Sequence, residues 1–306
     1  MSKAYVFTRN GGPEVEALVD QDKPVPGPGE LLVAVRAAGV NPVDWKLRTG
    51  YTRPGSVPQP FPTVFGSEAA GVVEAIGPDV EGFAAGDEVF GSPLTGGYAE
   101  HTLLPVAVTT HKPAGLSFAD AAVLPVAAAT AYDGMRQLGL APGATLLVAG
   151  AGGGVGSAAV QLAHHAGVQV IGAASAAKKE FVESLGAVHV ESGAGFAARA
   201  RAAAPGGIDA VFDLVGGDTL REAAQLLADP ATLISAGGKQ LVAELGGAPV
   251  ERARTAAVLR EVADLVAAGA LRTHVTRTWP LAGAGEALRA VEEGHALGKT
   301  VIEVTA

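Results

Sequence analysis

The sequence predicts an α/β chain of two unlike parts: a β-rich first domain, then a doubly wound parallel sheet with helices on both faces. Three observations carry this. Residues 3–116 consist of short β-like runs broken by glycine and proline, whereas from about residue 117 strand-like and helix-like runs alternate. Within the second part, residues 146–163 (LLVAGAGGGVGSAAVQLA) read as buried strand, glycine-rich turn and helix. At 306 residues the chain is long enough for two substantial cores. The expected domains are 1–118, with 270–306 returning to it, and 119–269.

In the first part the strand candidates are residues 4–7, 31–38, 69–76, 87–90 and 99–103, a pattern of short strands and turn signals that suits a compact, barrel-like or partly open β domain. Two segments are less regular. Residues 41–51 (NPVDWKLRTGY) mix polar and aromatic groups, with Asp44 read as a buried partner for the backbone or for Arg48. Residues 52–63 carry four prolines, at 54, 58, 60 and 62, and so are stiff and extended: a cleft wall or a plain surface loop. Ser117 is a candidate N-cap ahead of 119–123.

The parallel part has strand candidates at 145–149, 169–174, 188–190, 210–214 and 232–236. Its helix candidates include 178–185, 195–202, 219–227 and 253–267. Residues 271–304 have another β-helix-β texture, with a helix at 283–294 and a strand at 299–304, expected to rejoin the first domain. Ligands of such parallel sheets bind at the carboxyl ends of the strands, which puts Gly150, Ser175, Val215 and Ala236 on one rim.

The glycine turn has the makings of a phosphate cradle. Glycine permits positive φ and, lacking Cβ, lets backbone N–H groups approach a diphosphate, at which the following helix aims its positive end. The strict G-x-G-x-x-G form is absent: the best frame opens with Ala151, and the evenly spaced glycines are Gly150, Gly153 and Gly156. An ordinary strand–helix connection is the alternative. A second strand-like run at 168–174 argues against it, completing a β-α-β unit of about 30 residues. That strand ends Ala173-Ala174-Ser175, without the carboxylate that would accept from a ribose 2′-OH, and Lys178 and Lys179 follow. This suits a 2′-phosphate, and so NADP over NAD; the alternative is that the lysines only solvate a helix start.

Composition narrows the field. Cysteine is absent, so no disulfide framework or thiolate metal site exists. The net charge of −9 opposes general affinity for nucleic acid or anionic membrane, and no apolar run is long enough to span a bilayer. A soluble, cytoplasmic protein is expected.

Taken together, several ordered blocks resemble the medium-chain dehydrogenase/reductase superfamily, in its zinc-free quinone oxidoreductase branch, the zeta-crystallin-like group. They are GELLVAVRAAGVNPVDWKLRTG, FGSEAAGVVEAIGPDVEGFAAGDEVFG, GGYAEH, AAVLPVAAATAY, AGAGGGVGSAAVQLA and GHALGKTVIEV. The resemblance implies a GroES-like β-rich catalytic domain, a Rossmann domain that binds NADPH, and usually a homodimer. In zinc-dependent relatives a cysteine ligand matches Asn41 and a histidine matches Ser67, so no metal is expected. The histidines do not restore a site, since His164 and His165 point about 100° apart on a helix.

By the same resemblance, Asn41 and Thr130 lie near the nicotinamide-ribose end. Gly153, Gly154 and Val155 pack on the diphosphate or nicotinamide, and Ser175 and Lys178 match the positions that grip the 2′-phosphate, Lys178 fitting the family spacing better than Lys179. The reading of the residues themselves adds Gly150 and Gly156 of the turn, Lys179 beside Lys178, and Val215 and Ala236 of the strand-end rim to the cofactor set. Tyr51 is the candidate proton donor, since a phenol can give up its proton as charge develops on an enolate or quinol oxygen; the alternative is a tyrosine that only lines the site. Asn41 is the second catalytic candidate, with a turn-capping residue as its alternative.

The expected activity is NADPH-dependent hydride transfer, without metal, to a small electrophilic acceptor: a quinone or the C=C bond of an enone or enal. The alternatives are a tailoring enoyl or ketone reductase of a biosynthetic pathway, or a non-catalytic NADPH-binding protein with a sensor, structural or RNA-binding role.

Overall fold

A computed structural model describes residues 1–52, 60–294 and 296–304. In chain order the elements are β1 (Ser2–Phe7), β2 (Glu16–Gln21), β3 (Glu30–Val40), α1 (Pro42–Arg48), β4 (Thr63–Val64), β5 (Ala69–Ile76), β6 (Glu88–Gly91), β7 (His101–Pro105), β8 (Thr109–His111) and α2 (Phe118–Ala121). Next come α3 (Ala129–Leu138), β9 (Thr145–Ala149), α4 (Gly154–His165), β10 (Gln169–Ala174), α5 (Lys179–Ser184), β11 (Val188–Glu191), α6 (Phe196–Ala203), β12 (Ala210–Asp213), α7 (Gly217–Ala224), β13 (Leu233–Ser235), α8 (Lys239–Glu244) and β14 (Ala248–Pro249). The last are α9 (Ala256–Ala267), β15 (Val275–Pro280), α10 (Ala284–Glu292) and β16 (Lys299–Glu303).

Two compact units result: residues 1–126, 254–267 and 273–306 form the first, and residues 127–253 and 268–272 the second. The return to the first unit thus begins before residue 270, because α9 packs on β8. Its apolar face, Val258, Leu259, Val262 and Ala263, is buried there.

The first unit is built on two sheets, one of order β2-β1-β4 and a larger one of order β15-β16-β3-β5-β6-β8 in which β7 also pairs with β3. The length of β3 explains the branching. Its first half, Glu30 to Ala34, pairs with β7, and its last residues, Ala37 to Val40, pair with β16. The core beneath joins Phe7, Val35, Phe65 and Tyr98 to Leu288 and Ile302 from the end of the chain.

The second unit carries a six-stranded parallel sheet of order β11-β10-β9-β12-β13-β14, the doubly wound arrangement expected. Leu147, Ile171, Val211 and Leu233 from adjacent strands bury against Phe196, Leu220 and Val242 from the helices. The strand order reverses beside β9, with β10 on one side and β12 on the other, and a ligand crevice belongs at such a switch point.

Two corrections to the sequence reading and one choice between its alternatives follow. Residues 42–48, read as irregular, form α1: Asn41 is the N-cap, Pro42 fills the first turn without a lost donor, and the Asp44 carboxylate at N3 accepts the Asn41 N–H at 2.9 Å. Seven residues are too few for a periodic stripe to stand out. The short strands β2, β4 and β8 were missed because each lies at the end of a sheet and lacks a continuous apolar run. Of the two partners read for buried Asp44 the structure gives the backbone, through the Asn41 N–H, while Arg48 pairs with Glu16 and Glu292.

Candidate active site

In the second unit the turn after β9 is shaped by two glycines. Gly150 has φ of +90°. At Gly156 a Cβ would lie 2.2 Å from the Gly150 carbonyl oxygen, so α4 packs against the turn at a distance that admits only hydrogen. The N–H groups of Gly150 and Ala151 both donate to the Ala173 carbonyl at 3.0 Å, which ties the turn to the tip of β10.

Gly153 is the N-cap of α4, and Gly154 and Val155 are its first two residues; no side chain caps this end. A Cβ on Gly153 would meet only the Gly150 carbonyl, at 3.6 Å, so the space before the helix stays open to a ligand. A diphosphate fits this cradle: open backbone N–H groups, a helix dipole and no side chain in the way.

The two lysines have different surroundings. Lys178 lies over the turn: a Cβ on Gly152 would fall 2.5 Å from its Cδ. Burial alone pushes the Lys178 ammonium below the usual lysine range. Lys179 is exposed and pairs with Glu183 one helical turn on, at 4.0 Å. Ser175 is exposed at the end of β10, where its carbonyl accepts the Lys178 N–H at 2.9 Å.

The other rim residues follow from strand order. Val215, 54% exposed, stands beside Gly150, to which a Cβ would bring its Cγ2 within 3.2 Å. Ala236 follows β13, its N–H donating to the Asp213 carbonyl at 2.9 Å. The residue that builds this side of the rim was not anticipated. Asp213, fully buried, accepts the N–H groups of Val215 at 3.1 Å and Gly216 at 3.0 Å and the Ser235 hydroxyl at 2.5 Å. The signal was a lone carboxylate ending the apolar run AVFD. Thr130, in the first turn of α3, accepts from Arg252 Nη1 at 2.5 Å, while Arg252 Nε donates to Asp133 at 3.0 Å.

The first unit holds a cavity of about 350 Å³. Phe7, Leu47, Phe61, Val64 and Phe65 give it an apolar lining; Tyr51, Asn10 and Ser67 add polar groups. Of the proline-rich stretch, Pro54 and Pro58 fall outside the described residues, while Phe61 and Thr63 belong to the cavity wall. Tyr51 is 42% exposed, and its N–H donates to the Lys46 carbonyl at 3.0 Å just past the end of α1.

A buried polar network reaches the cavity through Asp44 and Ser67, which both line it. Asp44 accepts the Ser67 hydroxyl at 2.5 Å and the Tyr98 hydroxyl at 2.9 Å. Burial, then the charge of Asp44, hold the Tyr98 phenol well above its ordinary pKa, so it remains a donor.

Asn41 is buried, with both ends of its amide engaged. Its Nδ2 donates to Glu68 Oε1 at 2.8 Å, and its Oδ1 accepts from Lys299 Nζ at 2.6 Å. Lys299, which sequence reasoning missed, also donates to Glu68 Oε1 at 2.9 Å and to the Val40 carbonyl at 3.1 Å. Lys299 opens the strand KTVIE, where a lysine ordinarily faces solvent, so the local sequence carries no signal of its buried role. This donor set does not suit a metal: a divalent cation at Asn41 would face an ammonium, and the Ser67 hydroxyl is already turned to Asp44.

Comparison with known proteins adds the following. Residues 27–127 match the alcohol dehydrogenase GroES-like domain, and residues 185–302 match the family described as zinc-binding dehydrogenase. Over 312 residues the chain is 31% identical to the chloroplastic quinone-oxidoreductase QR1 of Triphysaria versicolor, covering 92% of this chain and 91% of that protein. It is 38% identical over 296 residues, 90% of its own length, to erythronolide synthase EryA2 of Saccharopolyspora erythraea, of which it spans only 8%. The structure of mycobacterial Rv1454c complexed with NADPH superimposes with a TM-score of 0.88 at 31% identity, covering 99% of this chain and 100% of that one.

Proposed function

Because this chain belongs to the zinc-free, quinone-oxidoreductase-like branch of the medium-chain dehydrogenase/reductase superfamily, we propose that it is an NADPH-dependent reductase of conjugated acceptors, either a quinone or the C=C bond of an enone or enal. The observation that carries this reading is the cavity beside Tyr51, about 350 Å³, with an apolar and aromatic lining and a phenol in its wall. Its volume is at the small end of ligand sites, and its lining suits a flat, electron-poor π system.

The reduced nicotinamide, when bound, supplies the hydride. The remaining work falls to the chain. The first-turn N–H groups of Gly154, Val155 and Gly156 and the positive end of α4 would hold the diphosphate, while Gly150 and Gly153, whose N–H groups are engaged by the Ala173 and Gly150 carbonyls, shape the turn that leaves room for it. Ser175 and Lys178 would hold the 2′-phosphate, a reading supported by the placement of Lys178 over the turn; Lys179, paired with Glu183, adds only to the local positive field. Thr130 is assigned to the nicotinamide-ribose end, and Val215 and Ala236 to the rim that flanks the cofactor.

Tyr51 would give a proton to the acceptor oxygen on which charge grows. Asn41, with its amide fully engaged by Glu68 and Lys299, acts as a positioning residue and does not touch substrate.

The test is steady-state oxidation of NADPH against a panel of quinones, alkenals and saturated ketones. Turnover with the conjugated acceptors is expected; turnover confined to a simple ketone and its alcohol would reject the proposal. Saturable NADPH binding with no acceptor reduced would favour the non-catalytic reading. A second reading, a tailoring enoyl reductase acting on carrier-bound acyl chains, is favoured by the 38% identity to a segment of EryA2. Selective reduction of 2-enoyl thioesters over quinones would establish it.

A further inference from the structure

Three buried or half-buried charges meet beneath the cavity wall that carries Tyr51. Arg48, the last residue of α1, is 1% exposed. Its Nη1 pairs with Glu16 of β2, and its Nη2 pairs with Glu292 of α10 through both carboxylate oxygens, at 2.9 and 3.0 Å. Glu16 also accepts the Tyr5 hydroxyl at 2.8 Å.

The same arginine joins two segments that line the cavity. Its Nε donates to the Gly11 carbonyl at 3.2 Å, and its own carbonyl accepts the Gly11 N–H at 3.0 Å. One segment brings Asn10 to the cavity; the other brings Leu47, Gly50 and Tyr51. The chain then turns sharply: the Gly50 N–H returns to the Leu47 carbonyl at 3.0 Å, with Gly50 at φ of +95°. Tyr51 therefore leaves a helix end clamped from three sides by charge-assisted contacts, each stronger than a neutral hydrogen bond.

We infer that Arg48 is a positioning residue for the reaction: the Glu16–Arg48–Glu292 bridge fixes the phenol of Tyr51 in the cavity. The inference rests on the reading of Tyr51 as proton donor. An ion bridge of this kind is poor evidence for stability, since two buried charges lose as much hydration as they gain in attraction, and a role in holding one geometry accounts for it better.

The experiment uses the whole protein labelled with 3-fluorotyrosine. The chain has four tyrosines, so four ¹⁹F resonances are expected, and Tyr51→Phe assigns the one of interest. Glu292→Gln weakens the bridge without leaving a buried unpaired charge; Arg48→Met removes it, and Arg48→Lys keeps charge but not the two-pronged fork. Glu292→Gln should narrow and shift the Tyr51 resonance, leave that of Tyr98 in place, and lower kcat about tenfold with little change in KM. In a Tyr51→Phe background the same substitution should lower kcat no further, and Arg48→Lys should restore kcat only in part.

An unmoved Tyr51 resonance in Glu292→Gln and in any folded Arg48 variant would overturn the inference. So would an equal loss of kcat in both backgrounds. If wild-type protein reduces no acceptor in the panel, the reductase proposal fails, yet the resonance still decides whether the bridge places Tyr51.

Discussion

The Lys299 ammonium lies 2.9 Å from Glu68 Oε1, and both groups are buried, one on the last strand of the chain and the other 231 residues earlier. Asn41 closes the triangle, and the second Glu68 oxygen accepts the Val126 N–H at 2.7 Å. Lys299→Met should therefore destabilise the protein by about 3–5 kcal/mol, because it strands a buried carboxylate. Urea unfolding measures this. The double variant Glu68→Gln/Lys299→Met should recover a large part of the loss, since it removes the stranded charge; equal stability of Lys299→Met and wild type would show the pair to be energetically idle.

Tyr51→Phe keeps the ring in the cavity wall and removes only the hydroxyl. If the phenol delivers the proton, kcat falls by about 10²-fold, the lower end for loss of a general acid, while KM changes little. An unchanged kcat would assign the proton to water.

Lys178→Ala should weaken NADPH binding by about 10- to 100-fold, the range for a charge-assisted hydrogen bond, and leave NADH nearly unaffected. Fluorescence titration with each dinucleotide reads the difference, and equal losses would contradict the 2′-phosphate assignment. Burial lowers the Lys178 pKa, so NADPH affinity should decline as pH rises through that lowered value, with NADH affinity flat. For the unliganded chain the sign is opposite. Between the lowered value and 10.5 the unfolded chain holds the extra proton, so stability rises with pH across that window.

Gly156→Ala would place a methyl group 2.2 Å from the Gly150 carbonyl oxygen. The turn or α4 must move, at a cost of about 1–3 kcal/mol. Because the same backbone forms the diphosphate cradle, affinity for NADPH and NADH should fall together, in contrast to Lys178→Ala. Thermal unfolding and the same titrations check both halves.

Periodicity and turn chemistry made much of this fold readable. The inner parallel strands could be placed because they are buried apolar runs next to helices, as at Leu146 to Ala149 and Val170 to Ala174, whereas β14, two half-buried residues at the sheet edge, was missed. The glycine turn was legible because so few residues tolerate its geometry. What escaped was long-range pairing. Lys299, Glu68 and Asn41 come together only through β3 and β16, and nothing local in KTVIE announces a partner. Arg48 failed for the same reason: a charged residue three or four places from Asp44 invites a helical pair, yet its carboxylates come from β2 and α10.

The seam between β3 and β16 also sets an order of events during synthesis. Nearly all of the second unit is encoded in one stretch, residues 127–253, so it can close while the ribosome is still working. The earlier-made half must wait, two rungs of its largest sheet empty and a carboxylate without its counterion, until β15 and β16 emerge. Translation therefore finishes the two halves in the reverse of the order in which it begins them, and a premature stop codon before position 299 would damage the part already made more than the part just completed.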